Sequence, residues 1–272
     1  LKAGAVMKSD CHVTRVMTDS KGERATGVEY FDSKGERHEQ HADVVVLGAF
    51  TIENPRILLN SATDKHKDGL ANSSGTVGRY IMSHPAVTAF GMFDEDTQNY
   101  LGATGGQLLT QHRYPKEEGA FGSQQWEIAL ALKPNDLLGI AMSRADLFGN
   151  DLHKFMKEAS RSMTSMVAVI EDMPQAENRS ELSDKKDKYG MPLALAKHTW
   201  HDETRKLFHA TAKEGLEIIK AAGAKEAWHS PPGGQHIMGG TIMGSDPTSS
   251  VTNENAQCHD VPNLVMGGGG VF

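Results

Sequence analysis

The run Val44-Val45-Val46-Leu47 restricts the fold of this chain more than any other stretch of its sequence. Four consecutive apolar residues, three of them β-branched, predict a strand that is covered on both faces, as in a parallel sheet. Gly48-Ala49 ends the run, and the next residues carry helix signals, because Thr51 can cap a helix and Pro55 suits its first turn. We therefore predict a strand, a tight turn and a helix that closes at Asn60-Ser61.

The rest of the chain predicts a mixed fold. Lys-Gly turns separate β-rich segments between residues 13 and 46, which is typical of an antiparallel meander. Strand-like pieces surround a helical pattern between Gln107 and Glu171. Apolar residues recur at helical spacing from His201 to Ala222, with Asp202 as the expected N-cap and Gly223 as the end. The fold class is α+β or α/β, including an antiparallel sheet flanked by helices.

Composition excludes several classes of protein. The 272 residues carry a formal net charge of -7 and no stripe of Lys and Arg, so the electrostatic footprint of a nucleic-acid-binding protein is missing. Every apolar run is far shorter than the roughly 18 residues of a membrane span. Cys11 and Cys258 stand too far apart for a CxxC redox pair or a zinc ribbon. We expect neither a nucleic-acid partner nor a transmembrane segment in this chain.

A glycine-rich segment from Pro231 to Pro247 holds a single histidine, His236. Because glycines leave few bulky neighbours, the backbone can approach a flat ligand closely while the imidazole stays reachable. The unperturbed histidine pKa lies near neutrality, which suits a base that takes a hydroxyl proton as a hydride leaves carbon. On spacing alone, a hydrogen-bonded loop histidine without a catalytic role is the more frequent explanation.

Five segments, in this order, resemble the C-terminal half of the GMC (glucose-methanol-choline) family of flavin-dependent oxidoreductases. They are GAFTIENPRILLNSA at 48–62, VGRYIMSHP at 77–85, PQAENRSELSDKKDKYGMP at 174–192, HIMGGTIMGSDPTSSVTN at 236–253 and VPNLVMGGGGVF at 261–272. Within the family, HIMGGTIMG and the glycine run are most similar to the large subunit of bacterial gluconate, glucose or sorbitol dehydrogenases. The resemblance implies FAD as cofactor and oxidation of a sugar, polyol or sugar-acid hydroxyl.

The resemblance also implies roles for individual residues. His236 matches the family histidine that faces the flavin ring and acts as a base or as a hydrogen-bond partner of the substrate hydroxyl. Many relatives carry an Asp in the last glycine stretch, whereas this sequence has only glycine there. Contact with the cofactor at this stretch is therefore expected from backbone N–H groups alone. The implied cofactor-binding residues are Val13 on the strand that reads the adenine, Gly48 and Ala49 near the adenosine diphosphate, and Gly267 and Gly268 near the pyrophosphate and flavin ring.

The same resemblance divides the chain into domains. Residues 1–83 are expected to form part of a Rossmann-like FAD-binding domain, residues 84–230 a substrate-binding domain, and residues 231–272 return to the FAD-binding domain with His236. The family's GxGxxG fingerprint is absent, and the second catalytic residue, a His or Asn, is expected beyond Phe272. We therefore expect a chain truncated at both ends that neither holds FAD nor is active by itself.

Partners and location follow from the resemblance alone. It implies a small subunit and a cytochrome c subunit as electron-transfer partners. It also implies the periplasmic face of the bacterial inner membrane as the location, with a cytoplasmic location as the default otherwise. A different class of function stays open from the residues themselves, namely a non-catalytic α+β sugar-binding or interaction module.

Other candidate residues have simpler explanations. His198 and His201 have a spacing that could suit a metal ion, but their segment lacks the HExxH pattern, and we assign no metal site. Cys258 and His259 are adjacent, so on a strand they would point to opposite faces. We therefore expect no nucleophile pair there.

Overall fold

A computed structural model describes residues 3–102, 108–115, 118–128 and 131–272. The chain forms two compact units. Unit 1 comprises Leu1–Met82, Pro174–Thr199 and His236–Phe272, and unit 2 comprises Ser83–Met173 and Trp200–Gln235. Each unit is therefore built from segments that are distant in sequence.

The described residues contain both strands and helices, in agreement with the predicted fold class. The strands are β1 (His12–Thr18), β2 (Ala25–Phe31), β3 (Arg37–His41), β4 (Val45–Leu47), β5 (Met82–Met92), β6 (Leu108–Thr110), β7 (Gln124–Ile128), β8 (Met163–Ile170), β9 (Arg179–Lys186), β10 (Pro192–Lys197), β11 (Glu226–His229), β12 (Gly233–Met238) and β13 (Leu264–Met266). The α-helices are α1 (Glu53–Asn60), α2 (Pro134–Met142), α3 (Asn150–Ser162) and α4 (Asp202–Ala221), and a 3-10 turn spans Gly269–Val271. None of these helices combines the length and the apolar character that crossing a membrane requires.

Unit 1 begins with the predicted meander, which is confirmed. β1, β2 and β3 pair in that order and are antiparallel. Aspartates close both turns: Asp19 accepts the N–H of Glu23 at 2.9 Å, and Asp32 accepts the N–H groups of Lys34 and Glu36, each at 2.9 Å. Such local side-chain bonds to the backbone are the reason that Asp favours turns.

The apolar run forms β4, which pairs in parallel with β13 so that Val45 lies opposite Leu264. Val45 and Leu47 are buried in the core of unit 1, whereas Val46 is 64% exposed. The prediction of a strand covered on both faces is therefore wrong for the described residues. Side chains alternate between the two faces of a strand, and only one face of β4 packs against the core.

α1 follows β4 as predicted, but Thr51 does not cap it. The helix begins at Glu53, and its N-cap position is Ile52, which makes no side-chain capping bond. Pro55 lies in the first turn, where its missing N–H has no consequence for the helix. Thr51 is fully buried, and its hydroxyl has another partner.

Arg56 anchors the β9–β10 hairpin on α1. Its Nε donates to the carbonyl of Pro192 at 2.6 Å, and its Nη2 donates to the carboxylate of Asp187 at 2.7 Å. Burial alone would raise the pKa of Asp187. Hydrogen bonds from Arg56 and from the amides of Tyr189 and Met191 outweigh that effect and hold this pKa below its usual value.

This hairpin changes the division of the chain that the sequence suggested. Residues 174–199 pack in unit 1, whereas the sequence analysis assigned them to the 84–230 segment. The physical reason is the contact of β9 and β10 with α1, including the Arg56 bonds. The motif at 174–192 therefore belongs beside the strand–turn–helix element.

Unit 2 is built on the predicted antiparallel sheet. Its strands follow the order β11-β5-β8-β7-β6, and β12 also pairs with β5. Phe208, Ala212 and Ile219 of α4 are buried against this sheet. At Gly215 the helix comes so close that a Cβ would lie 2.5 Å from the ring of Trp126, so only glycine permits the contact.

α4 confirms the predicted amphipathic helix and corrects its start. The N-cap is His201, whose Nδ1 accepts the N–H of Glu203 at 3.2 Å, and not Asp202. The helix ends at Ala221, and Gly223 follows in a left-handed conformation. Since Nδ1 of His201 caps the helix, this nitrogen does not serve as a metal ligand here.

Candidate active site

Two parallel strands bring two glycine turns to one edge of unit 1. β4 is followed by Gly48-Ala49, and β13 is followed by Gly267–Gly270. The N–H of Gly267 donates to the carbonyl of Leu47 at 2.6 Å, and a Cβ on Gly267 would lie 3.6 Å from the Cα of Gly48. Ligands of open α/β sheets bind outside the carboxyl ends of the strands, which is where both turns lie.

Asn54 ties the two turns together. This residue of α1 is fully buried. Its side-chain oxygen accepts the N–H of Ala49 at 2.8 Å, and its side-chain nitrogen donates to the carbonyl of Gly267 at 3.1 Å. One amide side chain therefore satisfies a backbone donor of the first turn and a backbone acceptor of the second.

Thr51 ties the segment that carries His236 to the start of α1. Its hydroxyl donates to the carbonyl of Ile237, the residue after His236, at 3.0 Å. Backbone bonds continue the attachment, because Gly239 N–H donates to Gly269 at 3.1 Å and Thr241 N–H donates to Gly270 at 2.9 Å. The residues that follow His236 are thus fixed to the second glycine turn.

Gly239 can only be glycine in this arrangement. Its φ is +87°, and a Cβ there would lie 2.0 Å from the carbonyl oxygen of Tyr80. No side chain fits at that distance. The glycines of the motif therefore allow backbone segments to pack directly on one another, in addition to any approach of a ligand.

His236 lies on β12, where the sequence suggested a glycine-rich loop. It is exposed, and its φ is +50°. Left-handed backbone is uncommon in residues other than glycine, although histidine is among those enriched there. Backbone strain of this kind persists only where the surroundings fix it. Here the Thr51 bond and the glycine turn provide that fixation.

The glycine turns fit the close approach of a dinucleotide such as FAD. At Gly48 and Gly268, nothing lies within 4 Å of the position that a Cβ would occupy. Gly268 has φ +89° and ψ −168°, a conformation that is essentially reserved for glycine. Successive backbone N–H groups in a turn suit the oxygens of a pyrophosphate. These residues could hold the phosphate part of the cofactor.

The structure narrows which backbone donors a ligand can use. The sequence analysis expected N–H contacts from Gly267 and Gly268. The N–H of Gly267 is already donated to Leu47, and that of Ala49 is donated to Asn54. Among the described residues, the N–H groups of Gly48 and Gly268 have no protein acceptor. They are therefore donors that these turns can offer to a ligand.

Val13 is not brought to the glycine turns. It lies on β1 opposite Tyr30. β1 is attached to the C-terminal end of α1, since Asn60 Nδ2 donates to the carbonyl of Thr14 at 2.9 Å. The glycine turns lie at the other end of this eight-residue helix, which is about 12 Å long at the usual rise. The role of Val13 stays a prediction.

Sequence reasoning missed Thr51 and Asn54 as parts of this site. Both belong to the motif that was recognised, but Thr51 was interpreted as a helix cap and Asn54 was not singled out. Polar side chains at and just before the start of a helix, when they are not needed to cap it, are the signal that could have indicated these two hydrogen-bonded links.

The other candidate residues have structural roles. Cys258 is buried in the core of unit 1, and this burial raises the pKa of its thiol to about 12. His259 is hydrogen-bonded to the hydroxyl of Ser250 at 2.9 Å. A thiol that stays protonated at neutral pH is not a nucleophile. Cys258 and His259 therefore do not form a catalytic pair.

Comparison with known proteins places this architecture in a family. The N-terminal and C-terminal models of the GMC oxidoreductases match residues 1–86 and 174–272. The chain is 33% identical to the 2-methyl-1,2-propanediol dehydrogenase of Mycolicibacterium austroafricanum over 97% of its length, and 30% identical to the fructose dehydrogenase large subunit of Gluconobacter japonicus over 98%. In each case it covers 49% of the relative, so the chain spans about half the length of these proteins.

A solved structure supports the same fold. A formate oxidase of Aspergillus oryzae RIB40 matches with a TM-score of 0.63 and 13% identity over 96% of this chain and 56% of that protein. This similarity concerns the fold, which contains a parallel strand pair with glycine turns in one unit and an antiparallel sheet in the other. The chain belongs to the GMC oxidoreductase family, whose members are FAD-dependent.

Proposed function

We propose that this chain is part of an FAD-dependent dehydrogenase that oxidises a hydroxyl-bearing carbon of an alcohol, polyol, sugar or sugar acid. The observation that carries the proposal is the attachment of the His236 segment to both glycine turns through Thr51 and the Gly239–Gly269 bond. The names of the relatives support the substrate class, since one acts on a diol and another on fructose.

Bound FAD would accept the hydride that leaves the substrate carbon. The residues of this chain supply positioning and proton transfer. A ring nitrogen of His236 takes the proton of the substrate hydroxyl, or holds that hydroxyl by a hydrogen bond. Gly48 and Gly268 present backbone N–H groups to the phosphate part of the cofactor. Asn54 holds their two turns together by its two hydrogen bonds. Fixing the base relative to the cofactor turn makes the proton transfer effectively unimolecular.

The proposal extends to partners and location. We infer that electrons leave through a small subunit and a cytochrome c subunit, and that the enzyme acts at the periplasmic face of a bacterial inner membrane. A relative whose name describes it as a large subunit supports the existence of a smaller one. Co-purification of a haem-containing subunit with the complete protein tests this part of the proposal, and a flavoprotein that purifies alone without haem contradicts it.

The activity itself is tested by anaerobic reduction of the flavin in the complete protein. We expect 2-methyl-1,2-propanediol, fructose, gluconate or another polyol to bleach the flavin absorbance, whereas an analogue without a hydroxyl does not. A protein that binds such sugars but contains no flavin, or a flavin that no hydroxyl compound reduces, would contradict the proposal. The first of these results would favour the non-catalytic sugar-binding module.

A further inference from the structure

A cavity of about 550 Å³ opens along the edge of β9 in unit 1. The segment from Gly75 to Arg79 borders it and is attached to β9, since Ser180 N–H donates to the carbonyl of Gly78 at 2.8 Å. Leu59, Ala62, Val77 and Leu182 give the cavity an apolar wall. The remaining lining is dominated by basic groups and one buried hydroxyl.

That hydroxyl belongs to Ser180. The residue is 2% exposed, and its Oγ has no hydrogen-bond partner among the described residues. Leaving a buried hydroxyl without a partner costs about 1–3 kcal/mol in typical proteins. Ser180 is among the residues that line the cavity, and a polar group that reached its Oγ would satisfy this hydroxyl.

Three basic side chains line the same cavity, and all of them retain unused donors. The Nε of Arg79 donates to the carbonyl of Gly75 at 2.8 Å, and among the described residues its two terminal nitrogens make no hydrogen bond. The Nε of Arg179 lies 2.5 Å from a carboxylate oxygen of Glu181 in an ion pair, but it makes no hydrogen bond among the described residues. Within the described part of the chain, the ammonium group of Lys67 has no hydrogen bond or ion pair. Guanidinium groups with two unused nitrogens are suited to bidentate binding of phosphate or carboxylate.

The acidic groups of the cavity do not cancel this charge. Glu181 lies 2.6 Å from Lys197 and 2.5 Å from Arg179. The hydrogen bond from Lys197, together with the charges of Arg179 and Arg79, holds the pKa of Glu181 below its usual value. Asp68 is the other acidic residue of the lining. The cavity therefore keeps an excess of positive charge in a chain whose formal net charge is -7.

We propose that this cavity binds a small organic anion through a phosphate or carboxylate group. Arg79, Arg179 and Lys67 contact the anionic group, the Ser180 hydroxyl donates to one of its oxygens, and the apolar wall contacts the carbon skeleton. The site is separate from the glycine turns and does not depend on the proposed dehydrogenase activity. Phosphate and carboxylate are both suitable, because each can present two oxygens to one guanidinium group.

Isothermal titration of the protein with inorganic phosphate and with citrate tests the proposal, and trimethyl phosphate serves as the uncharged control. We expect at least one of the two anions to bind and trimethyl phosphate not to bind. Binding of phosphate alone would identify a phosphate site, and binding of citrate alone a carboxylate site. Failure of both anions to bind at millimolar concentration would overturn the proposal.

Variants locate the site. Arg179→Gln and Lys67→Gln should each weaken binding of the anion by about tenfold or more, as expected for the loss of one charge-assisted contact. Ser180→Ala should weaken it less while leaving the fold intact, because it removes a hydroxyl that has no protein partner. Thermal melts verify that each variant is folded.

Lys21→Gln and Lys65→Gln are matched controls, since both residues line a neighbouring cavity of about 420 Å³. These variants should bind the anion like the unmodified protein. Hydrogen exchange should show protection by the anion in residues 75–79 and 179–182. Equal binding by the Arg179→Gln and Lys67→Gln variants, or protection confined to residues 19–23, would overturn the proposal.

Discussion

The hydroxyl of Thr51 lies 3.0 Å from the carbonyl oxygen of Ile237, a residue 186 positions further along the chain. This single hydrogen bond links the start of α1 to the residue next to His236. Both ends are fixed, since Thr51 is fully buried and Gly239 is bonded to Gly269. Thr51 is therefore not a helix cap, and we expect it to position His236.

Two substitutions of Thr51 separate the effect of its shape from the effect of its hydrogen bond. Thr51→Val keeps the volume but leaves the carbonyl of Ile237 without its donor, and should lower the free energy of unfolding by about 1–3 kcal/mol. It should also slow flavin reduction in the complete enzyme, because His236 is then less well fixed. Thr51→Ser should retain most of the rate. Equal rates in the valine and serine variants would show that the hydrogen bond does not position His236.

Asn54 should be even less tolerant of substitution. Asn54→Ala removes two buried hydrogen bonds and should cost about 2–4 kcal/mol in urea unfolding. Asn54→Asp keeps an acceptor for the N–H of Ala49, but it places a carboxylate oxygen against the carbonyl of Gly267 and should also destabilise the protein. Asn255→Ala, at an exposed turn, is the control and should change stability by less than about 0.5 kcal/mol. A stable Asn54→Ala variant would refute the role of this bridge.

These bridges show where sequence reasoning reaches its limit. The meander, the strand 45–47 and the helices α1 and α4 are visible in local patterns, because turn residues and apolar spacing act over a few positions. The contacts of Thr51 with Ile237 and of Asn54 with Gly267 span 186 and 213 positions. No local pattern specifies such partners. The recognised motifs correctly indicated the family, but they did not indicate the side chains that join the two glycine turns.

The prediction of the domain to which the β9–β10 hairpin belongs is wrong for the same reason. Its sequence contains charged residues and a turn, and nothing in it indicates which unit it joins. The decisive contact is Arg56 to Pro192, which lies 136 positions away. The prediction that both faces of β4 are covered is wrong for a different reason. An apolar run shows that a strand can be buried, but the number of covered faces depends on which neighbouring elements are present.

The Arg56–Asp187 pair predicts a specific sensitivity to acid. The pKa of Asp187 is lower in the folded protein than its usual value of about 4. A carboxyl group with a depressed pKa contributes stability that is fully present above the unfolded pKa and is lost as the pH falls through the folded pKa. Urea midpoints should therefore fall steeply below about pH 4.

Asp187→Asn isolates this contribution. The variant should be less stable than the unmodified protein at pH 7, because Arg56 then lies in a buried position without an opposite charge from the hairpin. Its stability should change less below pH 4, since the titrating group is gone. Asp64→Asn, at an exposed carboxylate, should follow the unmodified profile. Parallel pH profiles for Asp187→Asn and the unmodified protein would mean that other carboxylates cause the acid sensitivity.

The open space at Gly48 predicts that a side chain added at this position reduces the cofactor content without lowering the stability of the protein. A Cβ at Gly48 meets nothing within 4 Å, so Gly48→Ala should leave the melting temperature of the apoprotein nearly unchanged. If the cofactor approaches this backbone closely, the methyl group should reduce the flavin content of the complete enzyme. Gly239→Ala should behave differently and unfold the protein, because its Cβ would lie 2.0 Å from the carbonyl of Tyr80. Full flavin content in Gly48→Ala would show that the cofactor does not contact Gly48.

His236 can be assigned one of its two implied roles by a pair of variants in the complete enzyme. His236→Ala should slow flavin reduction by about 10²–10⁴-fold, the usual contribution of general acid–base catalysis. Because His236 is exposed, stability should change by no more than about 1 kcal/mol. His236→Asn accepts the left-handed backbone at φ +50° and keeps a hydrogen-bonding side chain, but it cannot take a proton.

The comparison of these two variants separates the roles. If His236 acts as the base, His236→Asn should be as slow as His236→Ala. If His236 only holds the substrate hydroxyl, the asparagine variant should recover most of the lost rate. His41→Ala, at an exposed strand position of the meander, controls for nonspecific effects. Near-normal flavin reduction in His236→Ala together with a large drop in melting temperature would mean that His236 is a structural residue and that another group is the base.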